Sequence, residues 1–459
     1  MQPSVKIWRY WGMGNEWKEY KLEDCMEAII DYRGKTPKKA SSGIPLVTAK
    51  IVKNGTILPY TEYIAEEDYD SWMQRGLPEP GDVVMTTEAP LGEVAQLDKT
   101  KVALAQRIIT LRGKTDLLDN TFLRYLLCSR QVQYRLNARS SGTTVRGIKQ
   151  SELRKIRLQF PPFTEQRRIA HILGTLDDKI ALNRQQNATL EAMAQALFRS
   201  WFVDFDPVLD KALAAGHDIP EPLQAKAQRR LALGDKRKPL APEVAGLFPD
   251  RFVYEEEVGW VPEGWEYDTL SNLTTELRRG ISPKYTEEGG VRVVNQRCIR
   301  DHLIDYNICR RNDLNKRKVD GRLLQVGDVL INSTGVGTLG RMAQVLSLEE
   351  DTVVDTHVTV LRSNKERYLP YTFCRAMYSK ERYVEAMGEG STGQTELKRT
   401  KLGAFSILVP PKSLQEFTET KFHDFNQKIL ANLVENESLI KIRDTLLPKL
   451  ISGEIRIND

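Results

Sequence analysis

An internal duplication is the feature that most constrains how this chain of 459 residues can fold. Gly81 matches Gly327 at an offset of 246 residues, and Leu153 matches Leu402 at an offset of 249. A repeat of this length is too long for a solenoid unit and predicts two copies of one domain, related by a pseudo-two-fold axis. The matching blocks include Arg33 through Pro37 with Arg279 through Pro283, Gly81 through Val84 with Gly327 through Leu330, and Leu153 through Pro162 with Leu402 through Pro411.

Each copy begins with a region of mixed secondary structure. Short β-branched runs lie between Gly and Pro residues, which is typical of strands joined by turns. These runs occupy 44–52, 82–86, 101–111, 292–294, 329–332 and 352–361, and helix-like stretches occupy 120–140 and 370–387. The pattern predicts an α/β (α+β) fold class and leaves the order of the strands open.

Each copy ends in a long seam of mostly apolar residues at helical spacing. The steps alternate between four and three residues, which is the spacing of a coiled coil. We expect one helix from Thr164 to Val203 and a second one that Pro448 ends near Leu447. The seam residues are Ile169, Leu173, Leu176, Ile180, Asn183, Asn187, Leu190, Ala194, Leu197 and Trp201 in the first copy, and Phe422, Phe425, Ile429, Asn432, Asn436, Leu439, Arg443, Leu446 and Leu450 in the second.

Two asparagines occupy the same layers of both seams, Asn183 and Asn187 in the first and Asn432 and Asn436 in the second. A buried Asn costs stability and fixes the register of paired helices. A pseudo-two-fold axis would make the helices antiparallel, with Asn183 near Asn436 and Asn187 near Asn432. The alternative is that each helix packs only on its own domain and that these side chains are solvated.

The duplication and the seams divide the chain into five segments. We expect a domain at 1–158, a helix at 159–205, a connector at 206–262, a second domain at 263–409 and a second helix at 410–459. The connector has a basic, Ala-rich stretch, and we expect it to have little core of its own. The predicted architecture is two pseudo-symmetric domains separated by a pair of long antiparallel coiled-coil helices.

Composition excludes several classes of protein. Hydrophobic residues make up 41% and charged residues 28% of the chain, which is too apolar for a disordered protein. No apolar run approaches the ~18–20 residues that span a bilayer, and the first ten residues lack the apolar centre of a secretory signal. The five cysteines form no close pair and argue against a disulfide scaffold. We therefore expect a cytoplasmic protein.

Basic residues cluster at equivalent places in both copies, close to hydroxyl and amide side chains. Arg and Lys neutralise phosphates, and Arg, Gln and Asn read base edges in the major groove. One such cluster is more often a solvated surface, but recurrence in both copies favours DNA binding. The candidates are Arg33, Lys35, Lys38, Lys39, Lys50, Lys53, Ser141, Thr143, Thr144, Arg146 and Lys149 in the first copy, and Arg278, Arg279, Lys284, Arg297, Arg300, Thr334, Ser391, Thr392, Gln394 and Lys398 in the second.

Motifs for catalysis are weak. Ser333 through Gly340 is rich in glycine but lacks the Gly-Lys-Ser/Thr of a Walker loop, so it is either a tight turn or a turn that contacts DNA phosphate. Phe160-Pro161-Pro162-Phe163 resembles the tetrapeptide of amino-methyltransferases, but Phe160 stands where that site needs Asp, Asn or Ser. No His and Cys residues have zinc-ligand spacing. We expect neither catalytic residues nor a metal site in this chain.

Several blocks of sequence together form a specific signal, namely Leu158 through Ala170, Leu176-Asp177-Asp178-Lys179-Ile180 with Asn183, Ala194 through Val208, Ala245 through Asp250, and Gly259 through Trp265. With these blocks the sequence resembles the specificity subunits of type I restriction-modification enzymes over nearly its whole length. One departure is that Glu165-Gln166-Arg167 in the first helix corresponds to Gln415-Glu416-Phe417 in the second, which puts identical partner contacts in doubt.

This resemblance implies two target-recognition domains, each reading one half of a bipartite asymmetric DNA site, and a helix pair that sets the spacer. It implies double-stranded DNA, two methylation subunits and, through the complex, restriction subunits as partners. S-adenosylmethionine, ATP and Mg would bind to those partners, so this chain would be non-catalytic and would hold no cofactor. Two alternatives stay open: a coiled-coil scaffold without a DNA role, and an enzyme that acts on nucleic acid alone.

Overall fold

The computed structural model describes residues 17–34, 36–142, 145–256, 258–390 and 395–457. The chain divides into two compact units. The first unit comprises the described residues of Met1–Leu182 and Glu435–Asp459, and the second comprises those of Asn183–Val434. Some candidate DNA-binding residues lie outside the described residues, namely Lys35, Thr143, Thr144, Ser391, Thr392 and Gln394.

Short strands and short helices alternate in the first unit. The strands are β1 (Lys18–Lys21), β2 (Met26–Asp31), β3 (Ile44–Val47), β4 (Val52–Lys53), β5 (Thr56–Ile57), β6 (Tyr63–Ile64), β7 (Val83–Thr87), β8 (Leu91–Gln96), β9 (Ala103–Leu104), β10 (Ile108–Gly113) and β11 (Arg157–Phe160). The short helices are α1 (Leu22–Cys25), α2 (Tyr69–Trp72), α3 (Asn120–Cys128), α4 (Arg130–Ala138) and α5 (Gln150–Arg154).

The centre of the first unit is a four-stranded antiparallel sheet in the order β2-β10-β7-β8. Met85 and Ile109 belong to the core on the α3 side, whereas Val84 and Ile108 pack with β3 and β9 on the other side. Burial on both faces explains why β7 and β10 have continuous apolar runs instead of an alternating pattern.

A long helix, α6 (Phe163–Phe198), begins in the first unit, and a short π-helix, Arg199–Val203, continues it. The remaining helices are α7 (Asp206–Ala215), α8 (Glu221–Ala232), α9 (Pro242–Ala245), α10 (Leu270–Leu273), α11 (Pro370–Ser379), α12 (Glu381–Ala386), α13 (Arg399–Gly403) and α14 (Lys412–Ser452).

The second unit repeats the topology of the first. Its sheet β15-β24-β21-β22 has strands in the same places as β2-β10-β7-β8, so the predicted duplication and the α/β (α+β) class are confirmed. A second sheet has the order β16-β20-β17-β23. The strands are β12 (Phe252–Glu255), β13 (Gly259–Pro262), β14 (Glu266–Thr269), β15 (Thr274–Arg279), β16 (Tyr285–Thr286), β17 (Val291–Val294), β18 (Ile299–Arg300), β19 (Leu303–Ile304), β20 (Arg310–Asn312), β21 (Val329–Asn332), β22 (Met342–Gln344), β23 (Thr352–Val354), β24 (Val358–Ser363) and β25 (Ser406–Val409).

The helical seams are confirmed, because every predicted seam residue is buried or half-buried. In the first unit Arg443 on α14 pairs with Asp177 on α6 at 2.9 Å, which explains the charged residue in that seam. In the second unit Asn432 Nδ2 donates to Asn187 Oδ1 at 2.8 Å, as predicted. Later residues of α6 therefore meet earlier residues of α14, and the helix segments in each unit are antiparallel. Asn183 and Asn436 are buried but belong to different units, and their pairing stays a prediction.

The prediction that Pro448 ends the second helix is wrong, because α14 continues to Ser452 with Pro448 inside it. Proline removes one backbone hydrogen bond and crowds the preceding turn. Leu450 and Ile451 in the next turn are 2% and 5% exposed and belong to the core of the first unit. Their burial offsets the local cost of the proline.

The prediction that the connector has little core of its own is also wrong. Helices α7 and α8 pack through Leu209, Leu223 and Ala227. Phe248 lies edge-on against Trp201, with ring centroids 5.1 Å apart, in the main core of the second unit. The segment is thus an ordered part of the second unit, while the five predicted segment bounds stay a prediction.

Candidate nucleic-acid interface

The Gly-Asp blocks of the duplication fix the central sheets through buried ion pairs. Arg112 donates from Nε and Nη2 to Asp82 at 2.8 and 2.9 Å, and Arg362 makes the same two bonds to Asp328 at 2.8 Å each. Asp82 and Asp328 are each 1% exposed. These bidentate pairs stabilise the central sheet of each domain, which we call the frame. Sequence reasoning missed both arginines.

Two candidate DNA-binding arginines also stabilise the fold of their domains through hydrogen bonds to backbone carbonyls. Arg33 Nη2 donates to the carbonyl of Ile148, and Arg279 Nη2 donates to the carbonyl of Leu397, both at 2.8 Å. Ile148 directly follows Gly147, which bridges Ser141, and Leu397 directly follows Glu396, which bridges Glu389. The side chain of Arg33 is still 39% exposed, so its bond to Ile148 does not remove it from the surface.

A partly exposed ion pair lies where β7 ends and β10 begins. Thr87 N–H donates to the carbonyl of Arg107 at 2.9 Å, and Ile148 N–H donates to the carbonyl of Thr87 at 3.0 Å. Arg107 Nε lies 2.8 Å from Glu88 Oε1, and their side chains are 52% and 41% exposed. We call Glu88 and Arg107 the first corner.

The second unit has the same backbone arrangement with different side chains. Ser333 N–H donates to the carbonyl of His357, and Leu397 N–H donates to the carbonyl of Ser333, both at 2.8 Å. Thr334 Oγ1 lies 2.8 Å from His357 Nδ1 and 3.2 Å from Gln296 Oε1. We call Gln296, Thr334 and His357 the second corner. It includes the Gly-rich run's Thr334, so the run is a turn at this corner.

The other candidates of the first unit are spread over its surface. Lys39 and Lys50 both pair with Glu62, at 2.9 and 3.6 Å, and the bond from Lys39 is the main cause that lowers the pKa of Glu62. Lys38 lines a cavity of about 180 Å³ together with Trp72. Glu62 therefore brings Lys39 and Lys50 together.

A second group in the first unit lies near the first corner. Ser141 and Gly147 exchange two backbone hydrogen bonds, at 2.8 and 2.9 Å, which close the hairpin beside Glu88. Arg146 and Lys149 are exposed on this segment, and Lys53 is exposed at the end of β4.

Three candidates of the second unit form ion pairs, and Arg279 pairs with Glu396 at 2.7 Å. Arg278 Nε lies 2.5 Å from Glu276, and its side chain is only 12% exposed, so it has little surface to offer to DNA. Lys398 pairs with Glu389 at 2.7 Å and stays 64% exposed. The remaining candidates are exposed, namely Lys284, Arg297 and Arg300.

Gln166 attaches the first domain to the start of α6. Its Nε2 donates to the carbonyls of Leu117 and Pro161, both at 2.9 Å. Its Oε1 accepts from the N–H of Asp119 at 3.0 Å. The side chain is fully buried with all its contacts to backbone, so it fixes the helix against the loop before α3.

Gln415 makes the equivalent attachment at the start of α14. Its Nε2 donates to the carbonyls of Arg367 and Pro410, at 3.1 and 2.8 Å, and its Oε1 accepts from the N–H of Leu369 at 2.9 Å. Gln166 therefore matches Gln415, at the offset of 249 that also relates Leu153 to Leu402. The sequence comparison that set Gln166 against Glu416 was displaced by one residue.

A half-buried carboxylate on α6, that of Asp177, reinforces the attachment of the first domain. Arg124 Nη2 and Tyr125 Oη reach Asp177 Oδ2 at 2.8 and 2.6 Å, and Arg443 reaches Oδ1 at 2.9 Å. Burial acts to raise the pKa of Asp177, but the bonds from Tyr125 and Arg443 and the charge of Arg124 lower it overall.

A larger polar cluster does the same in the second unit. Glu191 on α6 accepts from Arg375 at 2.6 Å and lies 3.4 Å from His302. His302 also contacts Glu381 at 3.0 Å and stacks on Tyr378. Burial opposes both charges, yet the mutual contacts lower the pKa of Glu191 to about 2 and raise that of His302 to about 9. The imidazole is thus a cation at neutral pH.

Sequence reasoning missed both attachments and every corner residue except Thr334. A usable signal existed, because Thr86-Thr87-Glu88 and Asn332-Ser333-Thr334 differ while the adjoining Gly-Asp blocks agree. Within the described ranges there is no group of three or more His, Cys, Asp and Glu residues that could hold a metal ion. In the same part of the chain, no helix has the length and apolar character needed to cross a membrane.

Comparison with known proteins gives matches to one family. A model of the family described as type I restriction modification DNA specificity domain matches residues 14–192. The type I restriction enzyme HindI specificity subunit of Haemophilus influenzae is 27% identical over 472 residues, which cover 96% of this chain and 100% of that protein. The MjaIX specificity subunit of Methanocaldococcus jannaschii is 24% identical over 473 residues, covering 100% and 90%.

A solved structure shares the fold. The type I restriction-modification S subunit from M. genitalium has a TM-score of 0.56 and 16% identity, over 98% of this chain and 99% of that one. The fold holds two copies of one mixed domain, each packed with antiparallel helix segments. By sequence, residues 14–192 match the type I restriction modification DNA specificity domain, and nearly the whole chain is similar to type I restriction enzyme specificity subunits.

Proposed function

We propose that each domain reads one half of a bipartite, asymmetric site in double-stranded DNA, and that α6 and α14 set the spacer. The observation that carries this proposal is the equivalence of Gln166 and Gln415, which attach the first domain to α6 and the second domain to α14 through matching hydrogen bonds. Two readers attached to the two helices would have a separation that the helices set. Two readers on one face of DNA need a separation near one helical turn, roughly 34–36 Å, or a multiple of it.

The lengths of the helices are compatible with this role. Helix α6 has 36 residues, which corresponds to about 54 Å at 1.5 Å per residue. Within each unit, side-chain packing along the seam stabilises the antiparallel helix segments. A change in helix length between the domains should therefore change the preferred spacer and leave the half-sites unchanged.

The long helices also offer a surface for two methylation subunits, through which restriction subunits would join. Met193 on α6 and Ile442 on α14 are large apolar side chains that are 50% and 47% exposed. They stand at the same offset of 249 as the glutamines, so each unit presents one of them. Paired exposed apolar positions suit two copies of one partner. Met193→Glu with Ile442→Glu should reduce the stoichiometry of methylation subunit bound, and Leu314→Glu, an exposed position away from the helices, is the control.

The proposal leaves the chemistry to the partners. S-adenosylmethionine, ATP and Mg²⁺ would bind to the methylation and restriction subunits, and this chain would be the non-catalytic member of a DNA adenine methyltransferase and restriction endonuclease complex. Equilibrium dialysis of the chain alone against labelled S-adenosylmethionine should show no retention, and saturable retention would contradict this part.

The test of the whole proposal is selection from a randomised duplex DNA pool, using the chain in complex with its methylation subunits. Two short, different half-sites at a fixed spacing would support it. One contiguous site would contradict the two-reader model. Lack of any enrichment, together with binding that does not weaken with salt, would favour the scaffold alternative, since phosphate contacts give affinity that falls steeply with salt.

A further inference from the structure

We infer that the first and second corners select the bases that differ between the two half-sites, with a guanine read by the first corner and an adenine read by the second. The inference rests on the proposed bipartite reading and deepens it by naming residues and bases. It concerns Glu88 and Arg107 in one domain and Gln296, Thr334 and His357 in the other.

The two corners are equivalent positions of a duplicated fold. In each, the residue before the central strand accepts a backbone hydrogen bond from the end of the neighbouring strand, at 2.9 Å for Arg107 and 2.8 Å for His357. Residues 101–110 and 351–360 have the same pattern of burial, position by position, with Arg107 and His357 exposed between a half-buried and a buried residue. Both corners therefore present side chains to solvent from the same rigid place.

The frame around the corners is the same in both copies, while the corner side chains differ. Asp82 with Arg112 and Asp328 with Arg362 are the same buried pair. The corners, in contrast, hold a Glu–Arg ion pair in one copy and a Thr–His–Gln cluster in the other. A protein that reads two different sequences with one fold needs this division between a fixed frame and variable surface groups.

The first corner suits guanine. A guanidinium has five N–H donors, and a carboxylate can take at most two of them. Glu88 therefore orients Arg107 and leaves donors for the O6 and N7 acceptors of a guanine in the major groove, the pairing that Arg makes most often with DNA. Arg146 and Lys149, exposed on the adjoining segment, can contact neighbouring phosphates.

The second corner suits adenine. Thr334 has one hydroxyl proton, and its Oγ1 has two neighbours, Gln296 Oε1 at 3.2 Å and His357 Nδ1 at 2.8 Å. The arrangement that satisfies both has Thr334 donating to Gln296 and His357 Nδ1–H donating to Thr334. His357 Nε2 is then an acceptor and the amide nitrogen of Gln296 is a donor. An acceptor beside a donor complements the N6 amino group and N7 of adenine.

The experiment compares variants in the complex with methylation subunits, selected on randomised duplex DNA. Arg107→Gln should reduce the preference for guanine at one position of one half-site by about 10- to 100-fold, because a bidentate base contact is lost. Thr334→Glu combined with His357→Arg transplants the first corner into the second domain. It should create a guanine preference at the equivalent position of the other half-site, and the first half-site should not change.

Arg130→Gln is the matched control, since Arg130 is exposed on α4 of the same domain and the variant makes the same charge change. It should leave every selected base unchanged.

If Arg107→Gln and the transplant weaken binding to all sequences equally, the corners do not select bases and the inference is overturned. Thermal unfolding of each variant, with Arg107→Lys as a conservative variant, identifies a folding defect, and an unfolded transplant leaves the Arg107→Gln result to decide. If the unmodified complex selects no bipartite site, the proposed function fails; if it does and the variants do not alter the site, only this inference fails.

Discussion

The two domains join the long helices with the same geometry and with different chemistry. At both joints a carboxylate on α6 is held by an arginine of the domain, Asp177 by Arg124 and Glu191 by Arg375. The symmetric partner of Asp177, at the offset of 249, is Asn426, which accepts a hydrogen bond from Arg375 at 3.0 Å. By the duplication, the position in the second copy that is equivalent to Asp177 lies on α14, where Asn426 stands. The carboxylate of the second joint, Glu191, lies on α6 instead. The contact between domain and helices is kept, whereas the residue that supplies the charge is not.

The largest effect is expected when the carboxylate is removed from each joint, that is, from the contact between a domain and the long helices. Glu191→Leu leaves Arg375, whose side chain is only 3% exposed, buried without its partner. Loss of one member of a buried ion pair costs about 3–5 kcal/mol. Asp177→Leu should cost less, because Arg124 is 13% exposed and Arg443 also pairs with Asp444 at 2.8 Å. Hydrogen exchange resolved by peptide measures the local stability of each unit.

The matched double variant is Glu191→Leu with Arg375→Met, which removes both charges. It should recover most of the stability lost in Glu191→Leu, since no buried charge is left unpaired. If the double variant is as unstable as the single one, packing and not charge holds the joint.

A second difference between the joints is their response to alkaline pH. The pKa of His302 is raised from 6.5 to about 9, so its contribution is complete below pH 6.5 and is lost as pH rises through 9. A pKa shift of this size contributes at most about 3 kcal/mol to the free energy of unfolding. The pKa of Asp177 is lowered from 3.8, so the pH dependence of its contribution to stability has the opposite sign. That contribution is present above pH 3.8 and is lost only in acid. The second unit should therefore loosen between pH 6.5 and 9, and the Asp177 joint should not.

His302→Gln provides the control for the pH effect. Hydrogen exchange of peptides around α11 and α12 should show the alkaline loosening in the unmodified chain and little of it in His302→Gln. An unchanged pH profile in the variant would assign the effect to another group.

The glutamine attachments should behave alike in both domains. Gln166→Leu and Gln415→Leu each remove three hydrogen bonds and leave buried backbone groups without partners. Unsatisfied buried groups cost about 1–3 kcal/mol, and we expect a similar loss in each unit. Gln427→Leu on the exposed face of α14 is the control and should change stability little. A clear inequality between the two variants would show that the joints are not equivalent.

The smallest effect concerns the seam. The hydrogen bond between Asn187 and Asn432, at 2.8 Å, should give a coupling of about 0.5–1.5 kcal/mol in a double-mutant cycle with alanine. Strict additivity in thermal unfolding would mean that the two side chains do not interact in solution.

Local patterns in the sequence predicted the parts of the fold that local physics decides. The steps of four and three residues gave both seams, and β-branched runs gave β7, β10, β21 and β24. The prediction that Pro448 ends α14 was wrong because the burial of Leu450 and Ile451 in the core of the first unit decides where the helix ends. The roles of Gln166 and Gln415 and most of the corner residues went unnoticed because their partners are distant in sequence, as Leu117 is from Gln166. The basic clusters indicated a DNA-binding surface but did not separate arginines of the frame, such as Arg278, from those free to reach DNA.

The central claim is that one frame carries two independent readers, and a symmetric chain tests it most directly. Replacing the first domain, residues 1–158, by the second, residues 263–409, gives both positions the same corner. Selection on randomised duplex DNA, in complex with methylation subunits, should then give a palindrome of two inverted copies of the second half-site at an unchanged spacing. An asymmetric site, or one half-site alone, would contradict the account.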